Sequence, residues 1–328
     1  MKKPRKGKGS GGGGRGTPSV RVREKRMKGS RVRHPGAHGR SSRAELAPFG
    51  ALLGALDLMF RGTPPDAGQE LVNEAMGCRS RTRREALARQ AIQRSPDGVD
   101  AYVLLAMDAP DPREARPLLE QAVAAGERAL GPRFFHEERG HFWLLLETRP
   151  YMQAREMLAS CLWALDERPL ACEHYQEMLR LNPNDNQGIR YLLASCLLEM
   201  KEHEALARLL ATYSQDATAA WAYTSALLAF RLKGPTAANQ KKLDKALKAN
   251  AFVPDYLLGR EPLPEQLPDL VGWGDESEAM EYAAANKTAW EQTPGALEWL
   301  RYALGGWVLP PKSSSTEVRE PVEPAPGS

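Results

Sequence analysis

The sequence predicts an all-α chain built as a solenoid of stacked helix pairs. Three observations predict it. Short apolar runs at helical spacing follow one another between tight breaks, and no alternating strand pattern interrupts them. The string LASCL occurs at 158–162 and again at 193–197, an offset of 35. Apolar residues three and four apart share one face of a helix, and a fixed offset of this length marks an array of two-helix units.

The ends of the chain are unlike its middle. Residues 1–45 hold 15 Lys or Arg against Glu24 and Glu45, a net charge of +13, so the rest carries −9 of the chain's overall +4. With Gly11–Gly14 and almost no apolar residues, this basic tail has too little to bury and is expected to be disordered. The apolar run within 46–65 begins too late for a signal peptide and is broken by Pro48 and Asp57. It is also too short for a bilayer, which takes about 20 residues, so a short helix and linker are expected and no membrane is. Residues 310–328, rich in Pro, Ser and Glu, are expected to form a second disordered tail. Four cysteines without close spacing fit a reducing compartment, and a cytoplasmic protein is the expectation.

Between the tails, 66–250 is expected to form the repeat domain and 251–309 a capping segment. Ala88, Ala91 and Ile92 before Pro96 suggest a second helix, and Val99–Met107 a short first helix. Pro112–Leu130 supplies another second helix through Ala115, Leu119 and Ala122. In the clearest unit Leu158, Ala159 and Leu162 face Ala171, Tyr175, Met178 and Leu179. Ala159 and Ala171 are small where the two helices approach, and Asn182–Asp185 breaks one helix and caps the next. Ala171 and Tyr175 correspond to Ala205 and Leu209 at an offset of 34. A two-helix period of 34–35 is that of a tetratricopeptide repeat, and about four pairs are expected, ending with Thr218–Leu232 and Ala237–Asn250.

After 250 the period fails. Four prolines in 251–272 predict an extended, wrapping segment. Asp275 followed by Glu278 predicts a capping box opening a helix to about Gln292, and Ala296–Leu304 a last helix. Tyr282, Trp290, Leu297, Trp299 and Leu300 suit the cover that a solenoid's final apolar face needs.

Helical repeats carrying SPDGVDAYVLLA (95–106), GHFWLLLETRPYMQAR (140–155) and HYQEMLRLNPNDNQGIRYLLASCLLE (174–199) resemble one family of uncharacterised bacterial tetratricopeptide-repeat proteins. GWGDESEAMEYAAANKTAWEQTPGALEWL (272–300) is similar to the same group. That group in turn resembles the repeat region of the eukaryotic suppression-of-tumorigenicity-seven family. The resemblance spans roughly 66–305. It implies a helical scaffold and transfers no catalytic residue, and the membrane location of the eukaryotic members is not implied, because their spanning segments are missing here.

No complete catalytic motif appears, so a non-enzymatic protein without cofactor or metal is expected. His136-Glu137-Glu138-Arg139-Gly140-His141 departs from the zincin pattern, which needs His at i and i+4 on one helix face. Here the second His is at i+5, about 140° round. A polar connection anchored by Phe134, Phe135, Phe142 and Trp143 is the simpler reading, with a metal-dependent enzyme as the minor alternative. Cys161 and Cys196 occupy equivalent repeat positions and read as small buried apolar residues.

Binding is the expected function. Arg149, Tyr151 and Arg155, then Asn186, Gln187 and Arg190 one repeat on, then Trp221 and Tyr223, are placed along a groove formed by successive first helices. Amides, arginines and aromatics suit the backbone and side chains of an extended peptide. Arg149 has the simpler role of pairing with Glu147 beside the helix-starting Pro150. Chaperone-binding repeats hold a C-terminal carboxylate with Lys and Asn on these helices; Glu156 and Ser160 stand there instead. The expected partner is a protein or peptide. The alternative is a nucleic-acid- or ribosome-associated adaptor, with residues 1–45 attracting phosphates without sequence preference.

Overall fold

The computed structural model describes residues 67–305. The expectations for 1–45, for the apolar run within 46–65 and for 310–328 lie outside the described residues. Within them the chain is all-α and tetratricopeptide-like. Five antiparallel helix pairs follow in order: α1 (Ala67–Gly77) with α2 (Arg81–Arg94), α3 (Val99–Met107) with α4 (Pro112–Glu137), α5 (Arg149–Ala164) with α6 (Arg168–Leu181), α7 (Ile189–Glu199) with α8 (His203–Thr212), and α9 (Ala219–Lys233) with α10 (Ala237–Ala249). Three helices complete it: α11 (Val253–Leu257), α12 (Glu276–Glu291) and α13 (Ala296–Ala303). No helix among the described residues is long and apolar enough to cross a membrane.

The recurring string is a recurring piece of packing. Leu158, Ala159, Cys161 and Leu162 on α5 are buried, as are Leu193, Ala194, Cys196 and Leu197 on α7. The turn after each helix is repeated as well. Glu167 N donates to Leu162 O and Glu202 N to Leu197 O, each at 2.9 Å, across a left-handed residue, Asp166 (φ 63°) or Lys201 (φ 62°). A bond spanning five residues across such a residue is the Schellman termination, which satisfies a carbonyl the helix leaves free. Ala171 and Tyr175 are fully buried on α6, and Asp185 caps α7 through Ile189 N (2.7 Å) and Arg190 N (2.9 Å).

There are five pairs where about four were expected. The added helix is α1, whose inward set is only Gly68, Val72 and Ala75. So small a buried face gives weak periodicity, and it packs with Leu87, Ala88 and Ala91 of α2 against Ala101, Leu104 and Leu105 of α3. In α4 the left-handed Gly131 (φ 74°) breaks the helix where the sequence ended it, and a further turn carries it to Glu137. Phe142 anchors the following connection between Phe134, Phe135 and Tyr151, with ring centroids 5.0–6.3 Å away, and Gly140 N donates to Leu181 O. The segment 251–272 is not wholly extended: α11 forms within it and buries Val253, Pro254, Tyr256 and Leu257.

Beyond the pairs, the chain returns. α12 packs on α7 and α9, first helices of successive pairs, while α13 packs on α10. α12 runs parallel to α9, since Glu278 near its start meets Ala219 at the start of α9 and Ala289 near its end meets Arg231 near the end.

Candidate functional site

The two ends of the first-helix face differ. At α7 and α9 the face is covered by this chain itself. Tyr223 is fully buried beneath Tyr282 (5.5 Å between centroids) and Trp290 (6.4 Å), and its hydroxyl donates to Asn250 O at 2.7 Å. The Glu278 carboxylate, almost wholly buried, accepts Ala219 N (2.8 Å), Gly274 N (2.7 Å) and Asn250 Nδ2 (3.1 Å). The expected capping box is therefore only half formed. Asp275 accepts the N–H groups of Ser277 and Glu278, while Glu278 turns to α9 instead of reaching back to Asp275. At the other end Arg231 donates to Leu198 O of α7, Ala289 O of α12 and Thr293 Oγ1, at 2.6–2.9 Å. A carboxylate thus sits at one helix N-terminus and a guanidinium at two C-termini, each matching the sign of the helix dipole.

The eight residues placed along the groove do not form one line. Arg149 donates to Trp143 O at 3.3 Å and lies over the Trp143 ring. Tyr151 is buried against Phe135 and bonds to Arg155, which pairs with Glu127 at 3.7 Å. Asn186 is exposed and Gln187 half-buried, with Gln187 Oε1 lacking a donor among the described residues. Arg190 holds Asp185 (2.9 Å) and Asp216 (2.7 Å) and stacks over Tyr191 and Tyr213. Trp221 is buried edge-on to the same two tyrosines.

Tyr223 therefore corrects the expectation, because its ring lies beneath α12 and offers no face to a peptide. The buried rings of Tyr151 and Trp221 fill spaces between helices and reach only the walls of two separate cavities. The error has a physical source. Helix α9 is buried nearly all round, so its periodicity cannot say which side faces a groove. Arg190 is likewise spent on two carboxylates. Ser160 Oγ lies 3.1 Å from the Tyr175 hydroxyl, and burial, helped by the charge of Asp185, pushes the Glu156 carboxyl up to about 7.

At α1, α3 and α5 the same face opens into a cavity of about 410 Å³. It lies where the first turns of the three helices meet, at Gln69, Asp100 and Pro150, with Gly126 of α4 as its back wall. Gly126 is fixed by that geometry, since a Cβ there would stand 2.8 Å from Tyr151 Cδ2. Carboxylates of Asp97, Asp100 and Glu147 line the cavity and, among the described residues, no Lys or Arg does, although Arg128 pairs with Asp97 at 2.8 Å. Neither Gly98 nor Thr148 caps its helix with its own side chain, so among the described residues the first turns of α3 and α5 lack an N-cap side-chain bond.

His136 and His141 are exposed and lie on either side of the Gly140 turn. Among the described residues no group of three His, Cys, Asp or Glu side chains is placed to hold a metal ion. Cys172 and Cys196 are buried neighbours across α6 and α7, a pairing their spacing did not suggest. No protein-family model and no curated protein matches the chain. Among solved structures it is similar to YrrB, a TPR protein whose crystal structure shows an unusual peptide-binding site, at 19% identity and a TM-score of 0.41, over 60% of this chain and 92% of that one.

Proposed function

We propose that the protein is a non-enzymatic scaffold that binds an extended peptide segment of a protein partner on its first-helix face, at the open end formed by α1, α3 and α5. The observation that carries this reading is the contrast along that face. α12 covers α7 and α9, whereas a cavity of about 410 Å³ remains between the first turns of α1, α3 and α5. Helix first turns there, without a side-chain N-cap among the described residues, suit peptide carbonyls. Asp97, Asp100 and Glu147 favour a Lys or Arg side chain, since a cation gains from a carboxylate wherever water is partly excluded.

Selection of a displayed random-peptide library against the full chain tests the proposal. Enriched peptides are expected to share a basic residue, and the double variant Asp100→Asn/Glu147→Gln is expected to lose their binding by at least about tenfold, the effect of one lost charge-assisted contact. Peptides without a basic residue, or binding indifferent to the variant, would remove the reading.

A further inference from the structure

A second cavity, of about 200 Å³, lies between α8, α9 and α10. We propose that it is a separate binding site, which accepts a carboxylate side chain of an acidic peptide. Its polar lining is rich in donors: Lys242 and Lys245 of α10, Ser225 of α9 and Ser214 of the preceding loop. Lys242 makes a 3.4 Å hydrogen bond to Ser225, and among the described residues neither lysine has an ion-pair partner. One carboxylate, Asp216, also lines the cavity, but it is already engaged by Arg190 Nε (2.7 Å), the Tyr191 hydroxyl (2.8 Å) and Thr218 (2.7 Å). Its charge is compensated, and that of the lysines is not.

Trp221 supplies the second, independent sign. It is 4% exposed and lines this cavity, and its indole N–H is buried with no acceptor among the described residues. Tyr191 and Tyr213 hold the ring edge-on on two sides, so it cannot turn to find an acceptor elsewhere. Buried donors in folded proteins almost always have a partner. Leu210 and Ala222 complete the wall with apolar surface, which fits the methylene stem of a glutamate better than a bare inorganic anion.

The charge pattern agrees. α10 carries Lys241, Lys242, Lys245 and Lys248 against Asp244 alone, within residues 46–328 whose net charge is −9. A basic surface on an acidic body draws an acidic segment to that place. This site shares no lining residue with the cavity between α1, α3 and α5, so either can fail without the other.

Two-dimensional ¹H–¹⁵N NMR of the full chain reads the site directly, because Trp221→Phe identifies one of the seven tryptophan indole signals. A capped triglutamate peptide is expected to move that signal saturably and a triglutamine peptide to leave it in place. Lys242→Gln/Lys245→Gln should weaken the response by about tenfold or more, and Lys241→Gln/Lys248→Gln should not. The proposal is overturned if triglutamate leaves the Trp221 signal unmoved or if both lysine pairs weaken it equally. It is overturned too if inorganic phosphate moves the signal at the same concentration, which would make this a small-anion site.

Discussion

The carboxylate of Glu278 accepts the backbone N–H of Ala219 at 2.8 Å, joining the first turn of α12 to the first turn of α9 across 59 residues of sequence. The same group accepts from Gly274 and Asn250, so one buried side chain closes the end of the solenoid onto itself. Glu278→Ala is expected to cost roughly 3 kcal/mol, because two buried donors, Ala219 N and Asn250 Nδ2, and the part-buried Gly274 N lose their acceptor at once. Glu278→Gln, which keeps the shape but can accept with only one oxygen, should cost less. Urea denaturation of both variants checks the order, and equal stability of the Ala variant and the wild type would contradict it.

Much of this fold was legible in the sequence, for reasons visible in single residues. Leu158 and Leu193 recur because each fills the same interface, and Thr218 and Asp275 announce their helices because their side chains accept first-turn N–H groups. The candidate site was less legible. Periodicity marks Tyr223 as one side of a helix, but only the long return of the chain decides that α12 will lie on it. The cavity at α1 was missed for the opposite reason: Gly68, Val72 and Ala75 bury too little side chain to show a period.

The inter-helix turns make a prediction of their own. Lys201 holds φ 62° in the turn between α7 and α8, where a Cβ is sterically costly. Lys201→Gly is expected to raise stability by up to about 1 kcal/mol, the relief being reduced by the greater backbone freedom of glycine when unfolded. Asp166→Gly at the equivalent turn should gain less, because Asp166 accepts a 2.7 Å bond from Arg168. Thermal unfolding of the two variants measures the difference, and a loss of stability in Lys201→Gly would show that the turn is not under this strain.

Stability should also vary with pH in a way set by three groups. Burial pushes Glu281, and burial with the charge of Asp185 pushes Glu156, up to about 7, so the folded chain keeps protons that the unfolded chain releases near the ordinary carboxylate value. Their contribution falls as pH rises from about 4.5 to 7. Burial, with the charge of Arg155, lowers His174 to about 4, so its contribution falls in the other direction, as pH drops from about 6.5 to 4. Glu156→Gln/Glu281→Gln should therefore abolish the part of the Tm profile that declines as pH rises from about 4.5 to 7, while leaving the loss on acidification due to His174. Parallel Tm profiles for variant and wild type would show that these carboxyls titrate normally.

The central claim is that the first-helix face has two ends, one occupied by the chain's own α12 and one that, among the described residues, is open. Amide hydrogen exchange across the full chain tests it most directly. The account predicts that 276–291 and 219–233 are protected to the same degree and lose protection together in Glu278→Ala. Rapid exchange throughout 276–291, with 219–233 still protected, would contradict it, because α12 would then not be holding the face that it covers.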